Sequence, residues 1–236
     1  MRKDKRAADG LRPVSIVRRF TKNAPGSALI SMGDTKVLCT ACFEEKPPAW
    51  MRGQGKGWVT AEYAMLPGSG QTRTDRAQAK GGRAQEISRL IGRALRAVTN
   101  LKAMGECTLV VDCDVLQADG GTRAAAVTGA WVAMRDAFQL SVQSGYLQES
   151  PLTGPCAAVS VGVVAGEPML DLNYAEDVAA EVDMNVVQDA AGRFIEVQAT
   201  AESQPFSRDT LHRLLALADK GNRELMAIQE YTLAHD

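Results

Sequence analysis

Two short stretches share one pattern, paired glycines followed by an arginine at the start of an apolar-periodic segment: Gly81-Gly82-Arg83 and Gly120-Gly121-Thr122-Arg123. Glycine lets a backbone bend closely around an anion, and the free N–H groups and positive end of a following helix stabilise negative charge. The arginine adds a forked donor that matches phosphate oxygens. Neither stretch has the P-loop spacing with its lysine, nor the GxGxxG of dinucleotide sites. One such turn is common. Two, each with an arginine at the helix start, make a bound phosphate as good a reading as two ordinary helix starts.

A second constellation is acidic. Asp171, Glu176, Asp177, Glu181 and Asp183 fall within thirteen positions. Carboxylates so spaced can hold Mg²⁺, which takes a few protein oxygens and completes its shell with water and substrate phosphate. They can equally form a solvated acidic loop and strand edge. Strand alternation from 181 onward puts Glu181 and Asp183 on one face. A third stretch, Gly68-Ser69-Gly70-Gln71-Thr72-Arg73-Thr74-Asp75-Arg76, has no apolar anchor and predicts a mobile loop. Its arginines can grip a sugar–phosphate backbone, or the loop is a plain connection.

Other reactive residues carry less. Cys39 and Cys42 form a CxxC inside a strand-like run, where positions three apart face opposite ways, and no second pair completes a zinc site. The two histidines, His212 and His235, lie near the C-terminal end, against a catalytic triad. Asp112, Asp114 and Asp119 flank the second glycine turn and can order it or cap the helix.

These groups need elements to position them. Short β-branched runs predict strands at 14–17, 28–32, 36–43, 58–63, 106–113, 157–164, 169–172, 181–187 and 194–198. Gly33-Asp34, Gly166 and Ala191-Gly192 sit between successive runs as hairpin turns. Ile87, Leu90, Ile91, Ala94, Val98 and Leu101 make a helical stripe. A second helix runs from about 122 to 144, and a third starts at Ser207 and stops at Gly221. Hairpins with single interspersed helices predict an α+β fold, one layer of sheet covered by helices.

The 236 residues include 45% apolar and 23% charged side chains, with a net charge of -1, which excludes a disordered chain. No linker or repeat divides the sequence, so one domain spanning 1–236 is expected. No apolar run approaches the roughly 20 residues of a membrane span. The basic N-terminus is not followed by an apolar stretch and the five cysteines are sparse, so a cytoplasmic protein with reduced thiols is expected. The near-zero net charge hides asymmetry: residues 1–22 carry +6, 73–96 carry +5 and 176–236 carry -7. Such blocks make either a polyanion site facing a metal site or ordinary solvated faces.

Longer motifs add a resemblance. The runs Gly33-Asp34-Thr35-Lys36-Val37-Leu38-Cys39-Thr40, Gly53-Gln54-Gly55-Lys56-Gly57-Trp58, Ala61-Glu62-Tyr63-Ala64-Met65-Leu66-Pro67, Asp112 through Arg123, and Ala180 through Val187 resemble the bacterial ribonuclease PH family over essentially the whole chain. The resemblance implies a single α+β domain of the ribosomal protein S5 domain 2-like type, with a mixed sheet covered by helices. It implies a phosphorolytic 3′→5′ exoribonuclease, or tRNA nucleotidyltransferase, that trims the 3′ end of precursor tRNA and releases nucleoside 5′-diphosphates reversibly. By position, Arg83, Gly121, Thr122 and Arg123 match the phosphate-binding residues. Asp177 and Asp183 match the catalytic acidic pair that takes Mg²⁺, and Arg73 and Arg76 match the RNA-handling loop. Asp183 is either a metal ligand or a proton donor. A homo-hexamer, a trimer of dimers, is implied. The segment between Arg76 and Gly81 is about three residues shorter than the family's. A non-catalytic ring subunit would be expected to have lost the arginines or the acidic pair, and a two-metal hydrolase would need no phosphate site.

Overall fold

The computed structural model describes residues 2, 4–76, 81–202 and 204–235. The segment 77–80, where the short connection falls, lies outside the described residues. The first half of the chain lays down strands β1 (Val14–Arg18), β2 (Gly26–Met32), β3 (Thr35–Glu44), β4 (Trp58–Met65) and β5 (Thr108–Gln117). They form one sheet in the order β1-β2-β3-β5-β4, antiparallel except where β4 and β5 run parallel. A parallel pair needs a crossover, and helix α1 (Gly82–Ala97) is that crossover. The second half forms an antiparallel sheet, β7-β6-β8-β9, from β6 (Cys156–Val164), β7 (Glu167–Leu170), β8 (Val182–Asp189) and β9 (Phe194–Ala201).

The strands therefore divide between two sheets rather than one layer. Helix α2 (Thr122–Gln143) separates them, packing on β2, β3 and β5 on one side and β6 on the other. A helix apolar on every face must be covered on every face. Ala124, Ala125, Ala126, Val127, Ala130, Val132, Ala133 and Met134 circle this one and are all buried. Small side chains keep the layers close. A Cβ at Gly129 would come within 2.7 Å of the Ile30 side chain. Helix α4 (Arg208–His235) packs on β6, β7 and β8 of the second sheet and also touches β1.

Two helix boundaries differ from the sequence reading, and one helix is new. The stripe that reached Leu101 ends as a helix at Ala97, and Leu101 belongs to the turn beyond. α4 does not stop at Gly221 but runs through it. A Cβ there would lie 2.7 Å from Leu170 and 3.3 Å from Val159, so this glycine permits close helix–sheet packing rather than a cap. A five-residue helix, α3 (Tyr174–Val178), was not foreseen. Its capping box is in the sequence: the Asn173 side chain accepts from the Glu176 N–H, and Glu176 accepts from the Asn173 N–H. The turns at Gly33, Gly166 and Gly192 fall where expected, each at positive φ.

Candidate active site

Parallel β4 and β5 bring their carboxyl ends to the same edge, and each strand leads into a helix. The N-termini of α1 and α2 consequently open on one cavity of about 370 Å³. Its lining includes Arg83, Gly121, Thr122, Arg123, Asp177 and Asp183, so the two glycine turns and the acidic pair meet in space. Neither α1 nor α2 has a side-chain cap or an acid in its first turn. By contrast α3 carries its capping box, and Ser207 Oγ accepts from the Thr210 N–H at the start of α4. Free N–H groups and two arginines thus face the same space, the arrangement that attracts a multiply charged anion.

The second turn is built without side chains at its sharpest point. Gly120 and Gly121 have φ of 75° and 65°, where a side chain is strained. A Cβ at Gly120 would also lie 2.6 Å from the Leu172 carbonyl and 2.8 Å from the Tyr174 nitrogen. The turn therefore sits directly against the start of α3. Behind it the buried Tyr63 hydroxyl donates to Thr122 Oγ1 at 2.8 Å. Arg123 Nη1 donates to Gln198 Oε1 at 2.6 Å and to Glu86 Oε1 at 3.2 Å, which fixes the guanidinium where it lines the cavity. Glu86 on α1 and Gln198 on β9 come from elements far apart in the chain, and no local spacing signals them.

The five carboxylates of the acidic run separate into different duties. Asp171, fully buried at φ 55°, pairs with Arg12 at 2.7 Å. Glu176 is held by the capping box and by Arg2 at 2.7 Å. Glu181 accepts from the Gly166 N–H at 2.9 Å. Only Asp177 and Asp183 line the cavity. Burial raises the Asp183 carboxyl to about 6, with Asp177 adding to it and Arg123, then Arg83, opposing. Burial also raises Asp177, against the pull of Arg83 and Arg123. Two neighbouring acids that resist ionisation together are short of positive charge. That suits a divalent cation bound by two carboxylates, with water and substrate phosphate completing its shell. Asn185, two residues along β8, lines the same wall, and its amide donates to Asp183 Oδ2 at 3.4 Å.

Arg73 and Arg76 do not join this group. They stand exposed on the loop after β4, while its Gly70, Gln71, Thr72 and Thr74 line the cavity. The loop has backbone anchors that its composition hides: Ala118 N–H donates to the Ser69 carbonyl at 2.8 Å, and Thr74 N–H to the Pro67 carbonyl at 2.8 Å. The N-terminal basic block is different again. Arg2, Arg12 and Arg18 are buried and bind Glu176, Asp171 and Asp136 at 2.7 Å each. Much of that block is therefore spent inside the molecule, holding the chain start to α2 and to the segment before α3.

Comparison with known proteins gives a consistent result. Residues 10–138 match the family described as the 3′ exoribonuclease family, domain 1, and residues 154–221 match domain 2 of the same family. A ribonuclease PH of Methylobacterium radiotolerans is 55% identical over 237 aligned positions, covering 99% of this chain and all of that protein. Among solved structures, an Archaeoglobus fulgidus exosome with RNA bound to the active site matches with a TM-score of 0.83 at 19% identity, over 96% of this chain and 91% of that one. Rice Rrp46 matches with a TM-score of 0.78 at 22% identity, over 98% of this chain and 100% of the other. The last two likenesses show the fold.

Proposed function

This chain belongs to the 3′ exoribonuclease family, and on that footing we propose that it is a phosphate-dependent 3′→5′ exoribonuclease acting on the 3′ end of precursor tRNA and other RNAs. The observation that carries the reading is the convergence of two uncapped helix N-termini, each with an arginine, on a cavity whose opposite wall bears two carboxylates. A hydrolase has no use for a site that holds a free anion. A phosphorolytic enzyme needs one beside the scissile bond.

In this reading Arg83, the N–H groups at Gly121 and Thr122, and Arg123 hold inorganic phosphate. Its oxygen attacks the phosphorus of the last phosphodiester, the P–O3′ bond breaks, and a nucleoside 5′-diphosphate leaves. The 3′ oxygen of the shortened RNA takes up a proton. Several negative charges must approach one another, so alignment and charge neutralisation supply most of the catalysis. Asp177 and Asp183 would hold Mg²⁺, which when bound offsets charge on the scissile phosphate. A carboxyl with a pKa of about 6 can instead give the proton to the departing oxygen, the other role open to Asp183. Arg73 and Arg76, exposed beyond the cavity, suit contact with the RNA upstream of its end.

We assign the working form to a homo-hexameric ring in the cytoplasm. The five cysteines are all free thiols. Trp50, Phe194 and Tyr231 expose 63%, 53% and 65% of their surface, which a neighbouring subunit would cover. The test is incubation of a short RNA with and without phosphate. Phosphate-dependent release of nucleoside diphosphates is the expected outcome; monophosphates released equally in both arms would overturn it.

A further inference from the structure

The Gly33-Asp34-Thr35 stretch is far in sequence from the residues that line the cavity, yet Thr35 touches the centre of the second glycine turn. Its side chain is fully buried at the start of β3. The hydroxyl donates to the Gly120 carbonyl at 2.7 Å and accepts from the Asp119 N–H at 2.9 Å, so both of its hydrogen-bonding functions are used on the turn. Arg12 approaches the same place from the chain start. Its guanidinium donates to the Asp119 carbonyl and, at 3.3 Å, to the Gly120 carbonyl, while Asp171 balances its charge. The carbonyls just before α2 are thus engaged by two side chains that do not line the cavity. Two consecutive glycines at positive φ are free to adopt other conformations, so these outside hydrogen bonds select the one that leaves the following N–H groups for an anion.

We propose that Thr35 and Arg12 are positioning residues for the attacking phosphate, acting by locking the carbonyls of Asp119 and Gly120 so that the N-terminus of α2 stays open to the anion. The inference rests on the phosphate-site reading above. Neither residue touches substrate; each acts through the turn. Thr35→Val keeps the shape and burial of the side chain and removes both hydrogen bonds, whereas Thr35→Ser keeps both bonds and removes a methyl group.

The experiment is steady-state kinetics on the full-length oligomer, with inorganic phosphate varied at saturating RNA, for Thr35→Val, Thr35→Ser, Arg12→Lys and Arg83→Ala. Sedimentation, thermal unfolding and phosphate-free RNA binding are measured alongside. Thr35→Val should raise the phosphate KM roughly 5- to 50-fold, the range for losing a buried hydrogen-bonded pair. The kcat at saturating phosphate and the phosphate-free RNA affinity should change far less, and Thr35→Ser should restore the KM. Arg12→Lys keeps a charge opposite Asp171 but offers no fork to two carbonyls. It should show the same split, and it carries the test if Thr35→Val does not fold. If Arg83→Ala raises the phosphate KM while Thr35→Val or Arg12→Lys leaves it at the wild-type value, the positioning role is overturned and the phosphate site stands. If Arg83→Ala also leaves it unchanged, the phosphate-site reading falls, and this inference with it. A folded Thr35→Val enzyme that loses stability or kcat without a change in phosphate KM would also count against it.

Discussion

Arg83 and Asp183 divide the proposed chemistry between them, and each can be altered without opening an apolar cavity. Arg83→Ala removes a charge-assisted contact to free phosphate, of a kind worth roughly 1.5–3 kcal/mol, or about 10- to 150-fold. That loss should appear in the phosphate dependence, with RNA binding nearly intact because the chain end is held elsewhere. Asp183→Asn preserves shape and removes the charge that would hold Mg²⁺ or the proton given to the 3′ oxygen. It should lower kcat at saturating phosphate and RNA and leave equilibrium RNA binding close to normal. Kinetics with the two substrates varied separately tests both. A wild-type kcat for Asp183→Asn would remove that residue from the chemistry.

At the scale of elements, α3 shows how positioning and titration are tied together. Burial alone would raise the Glu176 carboxyl. Hydrogen bonds from Arg2 and the Asn173 N–H, with the charges of Arg2 and Arg6, outweigh burial and hold it below the ordinary glutamate value of 4.5. A carboxylate depressed in the folded state stabilises the protein above its unfolded value, and that contribution is lost as pH falls through the folded one. Glu176→Gln should therefore lower Tm at pH 7, by an amount corresponding to about 1–3 kcal/mol. The gap from wild type should close as pH drops below 4.5, and thermal unfolding across pH 3–7 would measure it. Much of this architecture was legible in the sequence, and the failures have physical causes. Alternation marked the strands because one face of most is buried. Both glycine turns that line the cavity were visible because their glycines and arginine lie within a few residues of each other. α3 is too short to show an apolar stripe, and its evidence was the Asn173-to-Glu176 spacing alone. Gly221 imitates a helix stop because glycine serves equally at caps and at close contacts, and only the position of Leu170 distinguishes them. The two-sheet arrangement was implied by the first half of α2, where residues 124–134 are almost all small or apolar on every side, before Arg135, Gln139 and Gln143 open a polar face. The triad of Glu86, Arg123 and Gln198 joins three elements, and no local pattern could reveal it.

For the whole molecule the distribution of charge matters more than its sum. Arg2, Arg12 and Arg18 neutralise acids inside the chain, whereas Arg73 and Arg76 stand exposed after β4, where we expect them to meet RNA. Binding of long RNA should weaken steeply with salt even though the sequence pI is about 6.2. Replacing Arg73 and Arg76 with Ala should flatten that dependence, each lost contact removing about 0.7 from the log–log slope on single strands. Turnover of very short RNA should change less, and equal damage to short and long substrates would reassign the loop to chemistry or folding. The proposed ring would multiply this cationic surface around one RNA. Sedimentation should give about six times the 25.3 kDa subunit, and a fully active monomer would contradict the ring.

The parallel pairing of β4 with β5 has a consequence for folding. These strands cannot pair until the intervening segment, with α1 inside it, has been carried across, and such non-local closure is slow compared with forming a hairpin. The two helix N-termini proposed to hold phosphate open on one cavity only once that closure is complete. Phosphate should therefore have little affinity for the open chain and act as a late clamp on the native state. At 100 times its dissociation constant it would add about 2.7 kcal/mol of stability. Millimolar phosphate should raise Tm and slow unfolding while leaving the refolding rate nearly unchanged, and Arg83→Ala should blunt the first two effects. In a cell, the supply of the attacking reagent would then also set the lifetime of the folded enzyme.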